Sequence, residues 1–148
     1  MFLWKLVTVY LECWKHSKCL SADVTAAYDP TFSSAFEANN SSYVGKGVAL
    51  AKYTGSRGKG GSSDASAELV NYFTHMFDEN NVIWQLGEMG RIDLGGGGTV
   101  AKYVAAHNID TLDMGVPVLS MHSPFELTSK VDIYMTYKAF KTFNEAKI

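Results

Sequence analysis

Residues 116–126, VPVLSMHSPFE, constrain this chain more than any other stretch. Val116, Val118 and Leu119 form an apolar run of strand length, closed by Pro117 on one side and Pro124 on the other. Ser120, Met121 and His122 follow it, so a histidine stands at a strand end. In α/β proteins the carboxyl ends of strands line the functional crevice, where an imidazole can meet a metal or a substrate. The competing account of His122 is a hydrogen-bonded residue at the rim of the core.

With 148 residues, 47% hydrophobic and 13% aromatic, the chain is long enough to bury one core. A formal charge of −2 with scattered Lys and Arg gives no broad basic field, which argues against nucleic acid or an anionic membrane as partner. Small molecules or peptides are then the expected ligands. Cys13 and Cys19 match no metal or redox spacing and are too few for a disulfide framework. The chain therefore reads as intracellular and cytoplasmic.

Residues 2–14, FLWKLVTVYLECW, are apolar, but Lys5 and Glu12 interrupt a run already too short to span a bilayer. No basic leader or small-residue cleavage site accompanies it. A buried helix is expected. The alternative is a helix whose packing partners belong to a larger protein, because a helix apolar on nearly every side normally sits inside one.

The rest of the chain alternates short extended runs with helical stripes. Residues 19–24, CLSADV, read as a strand ending on Asp23, and 31–45 as polar loop. Val48, Leu50, Lys52 and Tyr53 give a half-alternating strand, and 54–64, TGSRGKGGSSD, a long loop holding Arg57 and Lys59. Ser63 is placed to cap a helix whose Leu69, Val70, Phe73, Met76 and Phe77 share one stripe, with Glu68 suiting its start and Asn80-Asn81 its end. Val82, Ile83, Trp84 and Leu86 form the next strand. Gly95 to Gly98 and Thr99 then precede a helical stretch at 100–106, a place where backbone N–H groups could approach an anion, although a plain tight turn explains the glycines equally well. After a short extended run at 110–113, Ser129 and Asp132 read as a capping pair for a helix whose Ile133, Tyr134, Tyr137 and Phe140 face the core, with Met135 and Phe143 as packing residues. This order indicates an α/β layered domain.

Taken together, SADVTAAYDPTF (21–32), KYTGSRGKGG (52–61) with SSDA (62–65), RIDLGGGGTVAKY (91–103) and GVPVLSMHSPFELTSKVDIYMTYKAF (115–140) resemble the C-terminal part of the aspartyl aminopeptidase and vacuolar aminopeptidase I family of zinc metallopeptidases, closest to its bacterial aminopeptidase 1 branch. The resemblance implies a three-layer α/β/α zinc-peptidase-like domain at 19–148, preceded by an apolar helix at 1–18. It implies two zinc ions as cofactor, with Asp23 a ligand of one and His122 a ligand of the other, chemistry that carboxylate and neutral imidazole suit. It further implies Lys52 as a substrate contact, with the Gly97, Gly98 and Thr99 backbone beside the substrate. Glu126, four residues past the histidine, is placed to accept from the other ring nitrogen of His122.

Two departures qualify what is carried over. The aspartyl enzymes have a histidine three residues after the ligand aspartate, and Ala26 stands there in this chain, which points to a neutral or apolar N-terminal residue in the peptide substrate. The family's remaining zinc ligands and its general base have no counterpart at 1–18, where Glu12 and His16 lack the required context. The expected partners are thus a complementary N-terminal portion or further copies in a homo-oligomer. An assembly module without catalysis is the alternative function, and anion binding through the glycine run with Arg57 or Lys59 a weaker third.

Overall fold

A computed structural model of the chain describes residues 2–56, 60–91, 94 and 96–146. In chain order, α1 (Phe2–Lys15) leads into β1 (Lys18–Ala22) and β2 (Thr25–Ala26), two short 3-10 turns, then β3 (Val48–Ala51), β4 (Tyr53–Ser56) and β5 (Gly60–Asp64). There follow α2 (Ala67–Glu79), β6 (Trp84–Leu86), α3 (Ala101–Ala105), β7 (Asp110–Gly115), β8 (Pro117–Val118) and α4 (Lys130–Glu145). The central sheet has the order β1-β7-β3-β6, with β1 and β7 parallel, β3 and β7 antiparallel, and β3 and β6 parallel. Two separate ladders complete the fold: the parallel pair β2–β8 and the antiparallel hairpin β4–β5.

The two-residue period of the strands sorts side chains between layers. Val48 and Leu50 of β3 and Leu112 and Met114 of β7 turn to one side, where they join Leu69, Phe73, Met76 and Phe77 of α2 and Ala139 of α4 in the main core. Thr111 and Asp113 of β7 alternate with them, and α3 packs on β7. The strand is therefore buried along almost its whole length, as a central strand covered on both faces must be. The mixed α/β fold expected from the sequence is the fold observed.

Helix α2 forms as its stripe requires. Leu69, Phe73, Met76 and Phe77 recur at helical spacing and all are buried, and Asn81 at φ 54 ends the run. Its cap is Ser66, whose side chain accepts from the Leu69 N–H at 3.1 Å, and not Ser63, which belongs to β5 opposite Thr54. Residues 54–56 and 60–64 are thus paired strands rather than part of a long loop, and the strand expected to run from Val48 to Tyr53 breaks at Lys52 into β3 and β4. Arg57, Lys59 and Gly95 lie outside the described residues.

Two further expectations need correction. Helix α1 forms, but it is exposed: Leu3 is 77% and Trp4 78% accessible, and Trp14 near its end meets the His107 ring at 4.7 Å. In α4, Ser129 caps as expected, accepting from the Val131 N–H at 3.2 Å. The inward face, however, carries Asp132 and Ala139 with Phe140 and Phe143, while Ile133, Tyr134 and Tyr137 are exposed. Met135 and Phe143 do pack: the Met135 sulfur accepts from the Ile83 N–H, and the Phe143 ring stands 5.4 Å from Phe73. No helix among the described residues is long and apolar enough to cross a membrane.

Candidate metal and substrate site

Asp23 occupies the link between β1 and β2, level with the bend from β7 into β8. Its amide donates to the Met114 carbonyl at 3.3 Å, and the amide of Thr25 donates to Val116 at 3.1 Å. Gly115 makes that approach possible, since a Cβ there would fall on the Asp23 carbonyl oxygen. A cavity of ≈ 10 Å³, about the space of one water, lies between Asp23, Thr25, Asp113, Gly115 and the Gly97-Gly98 backbone. The fold therefore brings Asp23 and the glycine loop to one place.

His122 lies beyond the end of β8, the strand that pairs with β2, so one ladder is preceded by Asp23 and followed by His122. The histidine is exposed and stands at φ 69, with Ser120 at φ 57, a left-handed backbone that His tolerates better than most residues. Leu119 and Leu127 pair across the neck of this excursion, exchanging hydrogen bonds at 2.8 and 3.2 Å. Glu126 holds it from within, its Oε1 accepting from the His122 main-chain N–H at 2.7 Å. The carboxylate expected to take a ring nitrogen of His122 is thus engaged with the backbone, because the tight turn brings the amide rather than the imidazole over it.

Thr99 closes the glycine loop. Its Oγ1 donates to Asp113 Oδ2 at 2.5 Å and accepts from the Ala101 N–H at 3.0 Å, so one of the amides that open α3 is already engaged. With only five residues, α3 is too short to present the anion cradle that the glycine run suggested.

Asp113 was not singled out from sequence, yet it is the most buried acid at this place, 8% accessible, with Oδ1 left without a hydrogen bond. Burial pushes its pKa up, the hydroxyls of Thr99 and Ser21 pull it back, and the nearby Asp23 charge pushes it up again. A buried acid within an apolar-looking LDMG strand gives no signal except that Asp interrupts the run.

Lys52 stands apart from this cavity. Its Nζ pairs with Asp64 Oδ1 at 2.5 Å across the base of the β4–β5 hairpin, and both side chains are largely exposed. Glu88 lies in the same cluster, accepting from the Tyr53 N–H at 3.3 Å. Its pKa is pushed up to about 7, chiefly by burial, with the Tyr53 hydrogen bond and Lys52 lowering it and Asp64 raising it.

The donor set tests how far zinc fits. Among the described residues no three His, Cys, Asp or Glu side chains come together as a metal-holding group. Zinc sites need three or four protein ligands, so these residues do not by themselves make a complete shell.

The class the fold defines is a mixed α/β domain, with Asp23 and the Gly97-Gly98 loop meeting at the ends of its strands. The chain belongs to the M18 peptidases: the family model described as aminopeptidase I zinc metalloprotease matches residues 4–144. It is 50% identical over 128 residues to the probable M18 family aminopeptidase 1 of Borreliella burgdorferi, covering 86% of this chain and 28% of that protein. The crystal structure of the M18 family aminopeptidase from Thermotoga maritima superposes with a TM-score of 0.87 at 43% identity, over 91% of this chain and 30% of the other. Aminopeptidase I from Clostridium acetobutylicum gives a TM-score of 0.87 at 41% identity, over 92% and 30%. The chain thus corresponds to a C-terminal part of the family's fold and spans under a third of the length of these relatives.

Proposed function

We propose that the chain is part of a cytoplasmic zinc aminopeptidase that removes the N-terminal residue of peptides at a two-metal site, and that it is inactive without a complementary N-terminal portion. The observation that carries this reading is the meeting of Asp23 with the Gly97-Gly98 loop around one cavity, within a family match that runs almost the length of the chain. Asp23 would offer a carboxylate oxygen to one zinc and His122 an imidazole nitrogen to the other once the rest of both shells is supplied. In this reading the general base belongs to the complementary N-terminal portion.

The preference for a neutral or apolar N-terminal residue is supported by a depression of ≈ 240 Å³ beside the His122 turn, lined mostly by apolar side chains (Ala26, Phe32, Phe36, Val118 and Met121 among them) together with Asp29 and Ser120. Among the described residues that line it there is no Lys, Arg or His for an acidic side chain to meet. In this reading residues 19–148 belong to the catalytic domain and α1 lies outside it.

The test is complementation. Mixed with the upstream portion of a bacterial M18 relative and zinc, the chain is expected to cleave leucyl or alanyl chromogenic substrates, and both D23A and H122A to abolish that cleavage. No cleavage by the mixture, or full activity of both variants, would remove the reading. A non-catalytic assembly module is the second reading, and the exposed apolar side of α1 is the observation that favours it.

A further inference from the structure

The reading above draws on the Asp23 segment and the glycine loop, and one buried side chain that it does not use, Asp113, bonds to the end of that loop from the strand paired with β1. Asp113 sits in the middle of β7, paired in register with Ser21 of β1, two residues before Asp23. As ladder partners, Ser21 and Asp113 turn their side chains to the same face of the sheet. The Thr99 hydroxyl, at the end of the glycine loop, donates to Oδ2. Two residues further along its own strand, Gly115 receives the Asp23 main chain and opens the path through β8 to His122.

We infer that Asp113 is a positioning residue: its buried carboxylate fixes the glycine loop against the strand that delivers Asp23, and so sets the separation between the substrate-side backbone and the metal-side carboxylate. The inference rests on the reading of Asp23 and Gly97 to Thr99 as site residues, but the geometry it describes exists in the chain without metal or substrate. A carboxylate is suited to this duty because it is acceptor-only when ionised and can take hydroxyl donors from two directions. It is aimed by burial: Asp113 is 8% accessible and Thr99 6%, so neither can exchange its partner for water. Oδ1 and the Thr25 hydroxyl, both buried and without hydrogen bonds, border the same small cavity. The carboxylate therefore faces Asp23's side of the site with capacity to spare.

The test is amide hydrogen exchange on the full 148-residue chain, read by mass spectrometry, without zinc. T99V removes the hydroxyl while keeping the shape, and T99S keeps the hydroxyl. The expected result is exchange on the order of tenfold faster at 96–101 and 22–25 in T99V, restored toward the natural rate in T99S, with the amides of β3 and α2 unchanged. D113N, whose amide nitrogen cannot accept, is expected to accelerate the same two segments. Equal exchange in T99V and the natural chain would overturn the inference, as would acceleration spread uniformly over the core, which is what a merely structural bond would give. Where D113N fails to fold, the T99V and T99S pair still decides. Failure of complementation by the natural chain would remove the peptidase reading and leave this exchange pattern standing, so the two failures are distinguishable.

Discussion

Asp132 sits fully buried in the first turn of α4, and its two oxygens accept from the amides of Gly45 at 2.6 Å and Gly47 at 2.8 Å. Two loop N–H groups are thereby satisfied by one charge, which a sequence reading of Ser129 and Asp132 as a local capping pair does not foresee. D132A leaves both donors without their partner, and a loss of about 3–5 kcal/mol is expected, measured as a lowered midpoint in urea. Glu88 supplies the pH dependence. Its carboxyl holds a proton up to about 7 in the folded chain and to its ordinary value of 4.5 when unfolded. The folded state thus binds the extra proton between those values, so this stabilisation is complete below 4.5 and is lost as pH rises through 7. E88Q is expected to flatten that fall in a series of urea titrations from acid to neutral pH. The difference should be no more than about 1 kcal/mol, because solvent reaches the side chain and screens it.

Elements form where local pattern and tertiary partners agree, and α1 is the place where they part. Its 14 residues have a helical pattern, but a helix of that length is marginal in water without a surface to pack on. Among the described residues of α1, Trp14 at the C-terminal end has one, against His107, while residues 3–13 are exposed. Removing residues 1–13 should therefore change the unfolding free energy by less than about 1 kcal/mol, far from the several kcal/mol of a truncated core. Light scattering should show larger species for the full chain and only monomer for the shortened one. A strictly monomeric full chain would exclude the assembly module. The hairpin β4–β5 shows the opposite error. Gly and Ser give it little strand propensity, so composition suggests a loop, yet pairing of Tyr53 with Asp64 and Thr54 with Ser63 holds it as two strands.

Across the whole molecule, legibility follows how local the deciding interaction is. The stripe of α2, the glycine run before α3 and the turn after β8 were readable because apolar periodicity, glycine and proline act within a few residues, whereas the strand expected to end on Asp23 stops at Ala22 and leaves Asp23 in the link to β2. The choice of Ser66 over Ser63 as cap was not, since Ser62, Ser63 and Ser66 lie within five residues and only sheet pairing takes the first two into β5. The exposed side of α4 was misread for a similar reason: an aromatic stripe does not say which neighbour it will meet. The role of Glu126 was likewise set by the turn at φ 69, which no spacing encodes. By itself the sequence determined the fold class, its family motifs and their order, because these reside in local patterns. Only the tertiary structure decided that Ser21, Thr99 and Asp113 meet beside Asp23, because a buried carboxylate is defined by what long-range strand pairing places around it.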